Sequence, residues 1–321
     1  MAIKFARSTR IKFSVKSFNS LSDATFTDSF ARPFTRTSTH NFTRSFSRPF
    51  SRAEKSKGYI AVMDSGVGGL SVLGSLVRAL PQENFLYFGD NENAPYGNRT
   101  ESDLLSLTLK NLNYVLSFGV KAIVVACNTL SATLNHDIEL YSGVKTFGVY
   151  PPVFSHLFRG EKTLLIATPF TCKSYKGLRG LYVAETGGLA KSVEENVFNL
   201  NNINIACELE NSRLYYCAEK PDKNDAPILT SFDNEERFDT VILGCTHYLF
   251  VKNKIIDHLQ PKITESGNEN TVKAVKEFFV HRKSQVFKRE NGVLFIGKYA
   301  DFNEKVFREV VIKSQNLLEK N

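Results

Sequence analysis

Short apolar runs that close on Gly, Asp, Cys or Asn recur between helix-like segments from residue 58 almost to the end of the chain. Tyr59-Ile60-Ala61-Val62-Met63 leads into Asp64 and the turn Gly66-Val67-Gly68-Gly69. Phe85-Leu86-Tyr87-Phe88 precedes Thr100-Glu101-Ser102-Asp103, a capping-box-like start to a helix reaching about Phe118. Residues 122–126, 146–149, 163–167, 240–243 and 293–296 read as further strands. Helices are predicted from about Ser131, near Cys172 to Leu178, after Leu243, and over 272–280 and 302–318. Apolar runs without polar alternation are strands buried on both faces. Their alternation with helices predicts α/β architecture with parallel sheets, two rather than one. Residues 187–234, rich in Asn, Glu and Lys, receive no assignment.

The segment before this pattern is of another kind. Residues 1–57 are dominated by Ser, Thr, Arg and Phe, repeat Arg-Pro-Phe at positions 32 and 48, and sustain no period. They read as a disordered basic extension. The chain's formal charge of +8 resides there: 12 Lys and Arg stand against 3 Asp and Glu in 1–57, and 29 against 30 in the remainder. The charge of the folded part therefore points to neither nucleic acid nor an acidic surface.

No apolar stretch of about 18 residues is present, so no membrane-spanning helix is expected. The N-terminus lacks the apolar core of a secretory signal. Five cysteines without C-x-x-C spacing suggest neither a disulfide framework nor a zinc site. A reducing compartment fits best.

In open α/β sheets ligands bind beyond the carboxyl ends of the strands, so the residues after each strand are the candidates. Asp64-Ser65-Gly66-Val67-Gly68-Gly69 lacks the spacing of a dinucleotide fingerprint and the Gly-Lys-Ser/Thr ending of a phosphate loop. Alone it is a tight strand-to-helix turn; its Asp-Ser pair tilts it toward a cation such as an ammonium group. Cys127-Asn128-Thr129 and Gly244-Cys245-Thr246-His247-Tyr248 each set a thiol directly after a buried strand and before a helix start, where amide donors and the helix dipole favour a thiolate. One such Cys is ordinarily a small buried hydrophobe; two in matching positions call for a joint role.

A hydrolase needs one nucleophile with a base and an orienting group. A racemase acting on an α-carbon needs one acid/base group on each face of its substrate, which suits two matched thiols. His247 stands close enough in sequence to assist Cys245. A redox-active pair is the bland competitor. Cys172, Cys207 and Cys217 read as structural, and His136, His156, His258 and His281 have no motif around them.

Together, Asp64 to Val72, Tyr87-Phe88-Gly89-Asp90 with Pro95-Tyr96-Gly97, Ala126 to Thr129 and Leu243 to Tyr248 resemble the motifs of glutamate racemases, in order and approximate spacing, over residues 58 to about 315. The resemblance implies two similar α/β domains facing across a cleft: 58–154 with about 265–321, and 155–264. It implies that Cys127 and Cys245 are the two acid/base thiols, taking the α-proton from D- and L-glutamate respectively. Asp64 would assist Cys127 and His247 would assist Cys245. Asp64 and Ser65 would touch the substrate, Tyr96 and Gly97 would bind its side-chain carboxylate through hydroxyl and backbone donors, and Asn128, Thr129 and Thr246 would hold the α-carboxylate.

The resemblance implies no cofactor or metal, a bacterial cytoplasmic setting, supply of D-glutamate for peptidoglycan, and a homodimer as a candidate assembly. The chain departs from the family pattern at Leu130 and Leu249, which add bulk where Ala and Pro are usual. The family's acidic residue of the second domain has Glu210 as its best counterpart. Two other readings stay open: a racemase of aspartate or a related amino acid, and a gyrase- or nucleic-acid-associated binding protein using the basic segment. The composition of residues 1–57 also resembles an organellar transit peptide.

Overall fold

The computed structural model describes residues 58–217, 228–230, 237–280 and 292–313. The extension predicted to be disordered lies outside the described residues. Two sheets are present. In the first, β1 (Tyr59–Asp64), β2 (Asn84–Gly89), β3 (Val120–Val125), β4 (Lys145–Gly148) and β11 (Val293–Phe295) lie in the order β11-β2-β1-β3-β4, all parallel. β1 is central and buried along nearly its whole length, which is why its run is continuously apolar.

The second sheet holds β5 (Thr163–Ala167), β6 (Leu181–Glu185), β7 (Arg213–Tyr216), β8 (Ile228–Thr230), β9 (Thr240–Leu243) and β10 (Ile263–Ser266), in the order β10-β9-β5-β6-β7-β8. Its first four strands are parallel, but β7 runs antiparallel to both β6 and β8. The expected parallel sheet therefore ends in an antiparallel edge. This edge and β6 escape the sequence because their apolar runs are short and set among polar residues. β10 pairs with β9 and so extends the second sheet past residue 264.

Ten α-helices among the described residues cover the sheets: α1 (Leu70–Ala79), α2 (Glu101–Leu116), α3 (Asn128–Ser142), α4 (Val153–Leu157), α5 (Pro169–Lys173), α6 (Leu189–Asn196), α7 (Ile205–Glu210), α8 (Lys252–Leu259), α9 (Asn268–Val280) and α10 (Ala300–Val306). α6 and α7 fall in the stretch left unassigned from sequence. α2 is capped by Thr100, whose hydroxyl accepts from the Asp103 N–H at 3.2 Å. α3 begins at Asn128, directly after Cys127, and not near Ser131; Asn128 and Thr129 thus occupy its first turn. After β9 the chain makes a 3₁₀ stretch, Thr246–Val251, before α8. α10 passes into a π-helical turn, Phe307–Ile312.

Leu70, Leu73 and Leu76 of α1 pack with Val275 and Phe279 of α9 and with Val306 against one face of the first sheet; Leu104, Leu112 and Val115 of α2 and Leu134 of α3 cover the other. Leu189 and Val193 of α6 with Ile255 of α8 cover one face of the second sheet, opposite Cys172 and Tyr175. Both central sheets are thereby buried on two faces, and their polar loops are left to meet each other. None of the helices among the described residues is long and apolar enough to cross a membrane.

Candidate active site

Cys127 follows β3 and caps α3, while Cys245 follows β9 and caps the 3₁₀ stretch. The two thiols follow strands of different sheets and line one shared cleft. Ser65, Tyr96, Gly97, Asn128, Thr129, Thr246 and His247 line it too, joined by Pro95, Thr168 and Gly244. Asp64 is not among the lining groups. It lies within electrostatic reach of Cys127 at the tip of β1.

The Asp64 carboxylate is held by its own turn: Oδ2 accepts from the Gly69 and Gly66 N–H groups at 2.8 and 3.2 Å. Its Oδ1 is buried without a hydrogen-bond partner. Burial raises this carboxyl above its ordinary range, against the pull of His247 and the two amides. The glycines of the turn serve close approach: a Cβ on Gly68 would lie 2.4 Å from Thr246 Oγ1 and 2.6 Å from His247 Nδ1.

Burial, reinforced by the charge of Asp64, pushes the Cys127 thiol up to about 12, although the Leu130 N–H and the Ser65 hydroxyl face its sulfur. Cys245 has a different neighbour. His247 Nδ1 stands 3.6 Å from its Sγ, and His247 Nε2 stands 2.8 Å from Glu194 Oε2. Burial opposes the imidazolium, but hydrogen bonds and charge from Cys245 and Glu194 outweigh it and hold His247 well above its ordinary value. The two thiols are therefore chemically unequal at the start.

Tyr96 is turned differently from expectation. Its hydroxyl donates to Asp90 Oδ2 at 2.5 Å and accepts from Asn111 Nδ2 at 3.0 Å. The single proton of this hydroxyl is thereby engaged, and Gly97 lines the cleft beside it. Asn128 gives one amide hydrogen to Val149 O at 3.0 Å. Thr129 Oγ1 lies 3.3 Å from both Thr168 Oγ1 and Thr171 Oγ1, so hydroxyls of both bodies converge there, the first body being the first sheet with its helices and the second body the second sheet with its own.

Several participants escape the sequence. Thr168 directly follows β5, and applying the strand-end rule to that strand would find it. Glu194 carries only a faint signal, a flank position on the helix whose buried stripe is Leu189, Ala190 and Val193. It is Glu194, on α6, that supplies the carboxylate beside His247. Glu210 is exposed at the end of α7. Leu130 packs into the core of the first sheet and Leu249 against that of the second; neither lines the shared cleft. All five cysteines are free.

No model of a known protein family matches the chain. It is 30% identical over 262 residues to the glutamate racemase of Clostridium novyi (strain NT), covering 78% of this chain and 94% of that relative. A solved glutamate racemase from Thermus thermophilus, in complex with β-chloro-D-alanine, superposes with a TM-score of 0.56 at 28% identity, covering 80% of this chain and 94% of that one. The Francisella tularensis enzyme in complex with D-glutamate gives 0.59 at 22% identity over 80% and 95% of the two chains, a likeness of fold.

Proposed function

The chain belongs to the glutamate racemase family, and from that membership we propose that it interconverts L- and D-glutamate by acid/base catalysis between two thiols, without a cofactor. One observation carries the reading: Cys127 and Cys245 follow strands of different sheets and both line the same cleft. A planar α-carbon between them has one sulfur on each face.

With L-glutamate bound, the Cys245 thiolate takes the α-proton, and the electron pair of the broken C–H bond passes onto the α-carbon and its carboxylate. The Cys127 thiol then delivers its proton to the opposite face. The product is D-glutamate with the thiol and thiolate exchanged, and D-glutamate reverses the roles. The α-proton is far less acidic than a thiol, so the intermediate needs donors fixed before the reaction in a water-poor site. Asn128, Thr129 and Thr246 are placed to hold the α-carboxylate, and the Gly97 backbone to hold the side-chain carboxylate. His247 exchanges a proton with Cys245. Asp64, carrying an unpartnered Oδ1, serves Cys127 and, with Ser65, the substrate ammonium.

The product suits D-glutamate supply to peptidoglycan in a bacterial cytoplasm. The test is circular dichroism of purified protein with each glutamate enantiomer and no added cofactor, then in deuterium oxide. Loss of optical activity with solvent deuterium at the α-carbon is expected, absent in Cys127→Ala and Cys245→Ala. Full activity in either variant overturns the two-thiol assignment, and turnover of aspartate but not glutamate overturns the substrate.

A further inference from the structure

Glu194 belongs to the second body through α6, yet most of what holds it comes from the first. Its Oε2 accepts from the Val67 N–H at 2.9 Å as well as from His247 Nε2, and its Oε1 accepts from Asn91 Nδ2 at 2.6 Å. Gly66 lies against the same carboxylate, with a Cβ there falling 2.4 Å from Oε2. Asn91 is itself fixed by Asn303 of α10 in a reciprocal amide pair: Asn303 Nδ2 donates to Asn91 Oδ1 at 2.9 Å, and Asn91 Nδ2 donates back to Asn303 Oδ1 at 3.2 Å. Asn303 is 1% exposed.

We propose that Asn91 and Asn303 are positioning residues for one half of the reaction. They hold Glu194, and through it His247, so that proton exchange with Cys245 is competent only when the two bodies are closed on each other. This rests on the two-thiol reading above.

The physical reasoning starts from the carboxylate. Two neutral donors from the first body restrict Glu194 to one orientation and fix its Oε2 toward His247 Nε2. The Nε2 proton is then committed to Glu194, so Nδ1 is the ring atom that trades a proton with Cys245 Sγ. Because Val67 and Asn91 belong to one body and His247 to the other, parting the two bodies would take Glu194 from Val67 and Asn91 while leaving it next to His247. The carboxylate then turns toward water and its hold on the ring slackens. Asn91 makes no hydrogen bond to Cys127 among the described residues, and Glu194 reaches that thiol only indirectly, through its charge at Asp64, so the effect falls chiefly on the Cys245 face of the substrate.

The experiment uses Asn91→Ala, the isosteric Asn91→Asp, which replaces a donor by an acceptor against Glu194, and the more remote Asn303→Ala. Because enantiomers have equal free energy in water, kcat/KM must fall equally in both directions, by roughly tenfold or more for loss of a charge-assisted hydrogen bond. The decisive readout is the primary isotope effect with α-deuterated glutamate. If Cys245 exchange alone is slowed, the effect with deuterated L-glutamate grows, and that with deuterated D-glutamate shrinks because reprotonation becomes limiting. Isotope effects that stay put or move together in folded variants of unchanged melting temperature overturn the inference alone. An active wild type that survives Cys245→Ala overturns the two-thiol reading on which it stands.

Discussion

Thr168 of the second body occupies the place where a side chain on Gly97 of the first would sit, a Cβ there falling 2.2 Å from Thr168 Cβ. The glycine is needed because two bodies meet across it at a point that also lines the shared cleft. Gly97→Ala should hold the cleft ajar and raise KM by about tenfold or more, since small misplacements of bound groups are strongly felt. The double variant Gly97→Ala with Thr168→Gly, which removes the opposing Cβ, should recover much of the loss. Equal defects in the single and double variants would show that the clash is not the cause.

Tyr96→Phe separates two roles for one hydroxyl. Since the hydroxyl is engaged by Asp90 and Asn111, its removal should reduce stability by about 1–2 kcal/mol, the usual effect of losing a buried hydrogen bond. KM for glutamate should stay within a few-fold of wild type. A large rise in KM with unchanged denaturant stability would instead mean that the hydroxyl contacts the substrate.

His247→Asn keeps a polar group but removes the ring that links Cys245 to Glu194. Loss of a general acid/base group lowers turnover by about 10² to 10⁴. The pH profile should also lose the limb that reports the ring. Folding changes too: His247 is held above its ordinary value, so the stability it contributes is complete below about pH 6.5 and is lost as pH rises through the folded value. The variant should lack that component in thermal melts across the range.

Cys127 gives an alkaline counterpart. Its thiol is pushed from 9.0 to about 12, so the folded state keeps a proton that the unfolded chain releases. The associated stability is complete below pH 9 and is lost as pH rises toward about 12. Between about pH 8 and about pH 10.5, the melting temperature of Cys127→Ser should therefore fall less than that of wild type. Parallel falls in the two proteins would remove the basis for a buried, protonated thiol at this position.

Much of this arrangement is legible from local rules. The run Tyr59 to Met63 is apolar because β1 is central and covered on both faces, and the same rule locates β3, β5 and β9. A residue that follows such a strand and starts a helix has its position set by a few neighbouring dihedrals, so Cys127, Cys245 and Thr246 could be singled out without tertiary information. The start of α3 is not legible from local rules, because Asn128 and Thr129 look like loop residues although they form its first turn.

The sequence by itself determined which strand ends carry thiols, amides and hydroxyls, because strand periodicity and helix initiation act over a few residues. Only the tertiary structure decided which of them meet, and with what. Glu194 reaches Val67 across 127 positions of sequence and Asn91 across 103, and no local pattern encodes such a contact. Tyr96 turns its hydroxyl inward because Asp90 and Asn111 converge on it, not because of its own motif. The difference is one of range: backbone geometry is fixed by adjacent residues, whereas the protonation and orientation of His247, Cys127 and Tyr96 depend on charges and donors that the fold gathers from distant parts of the chain.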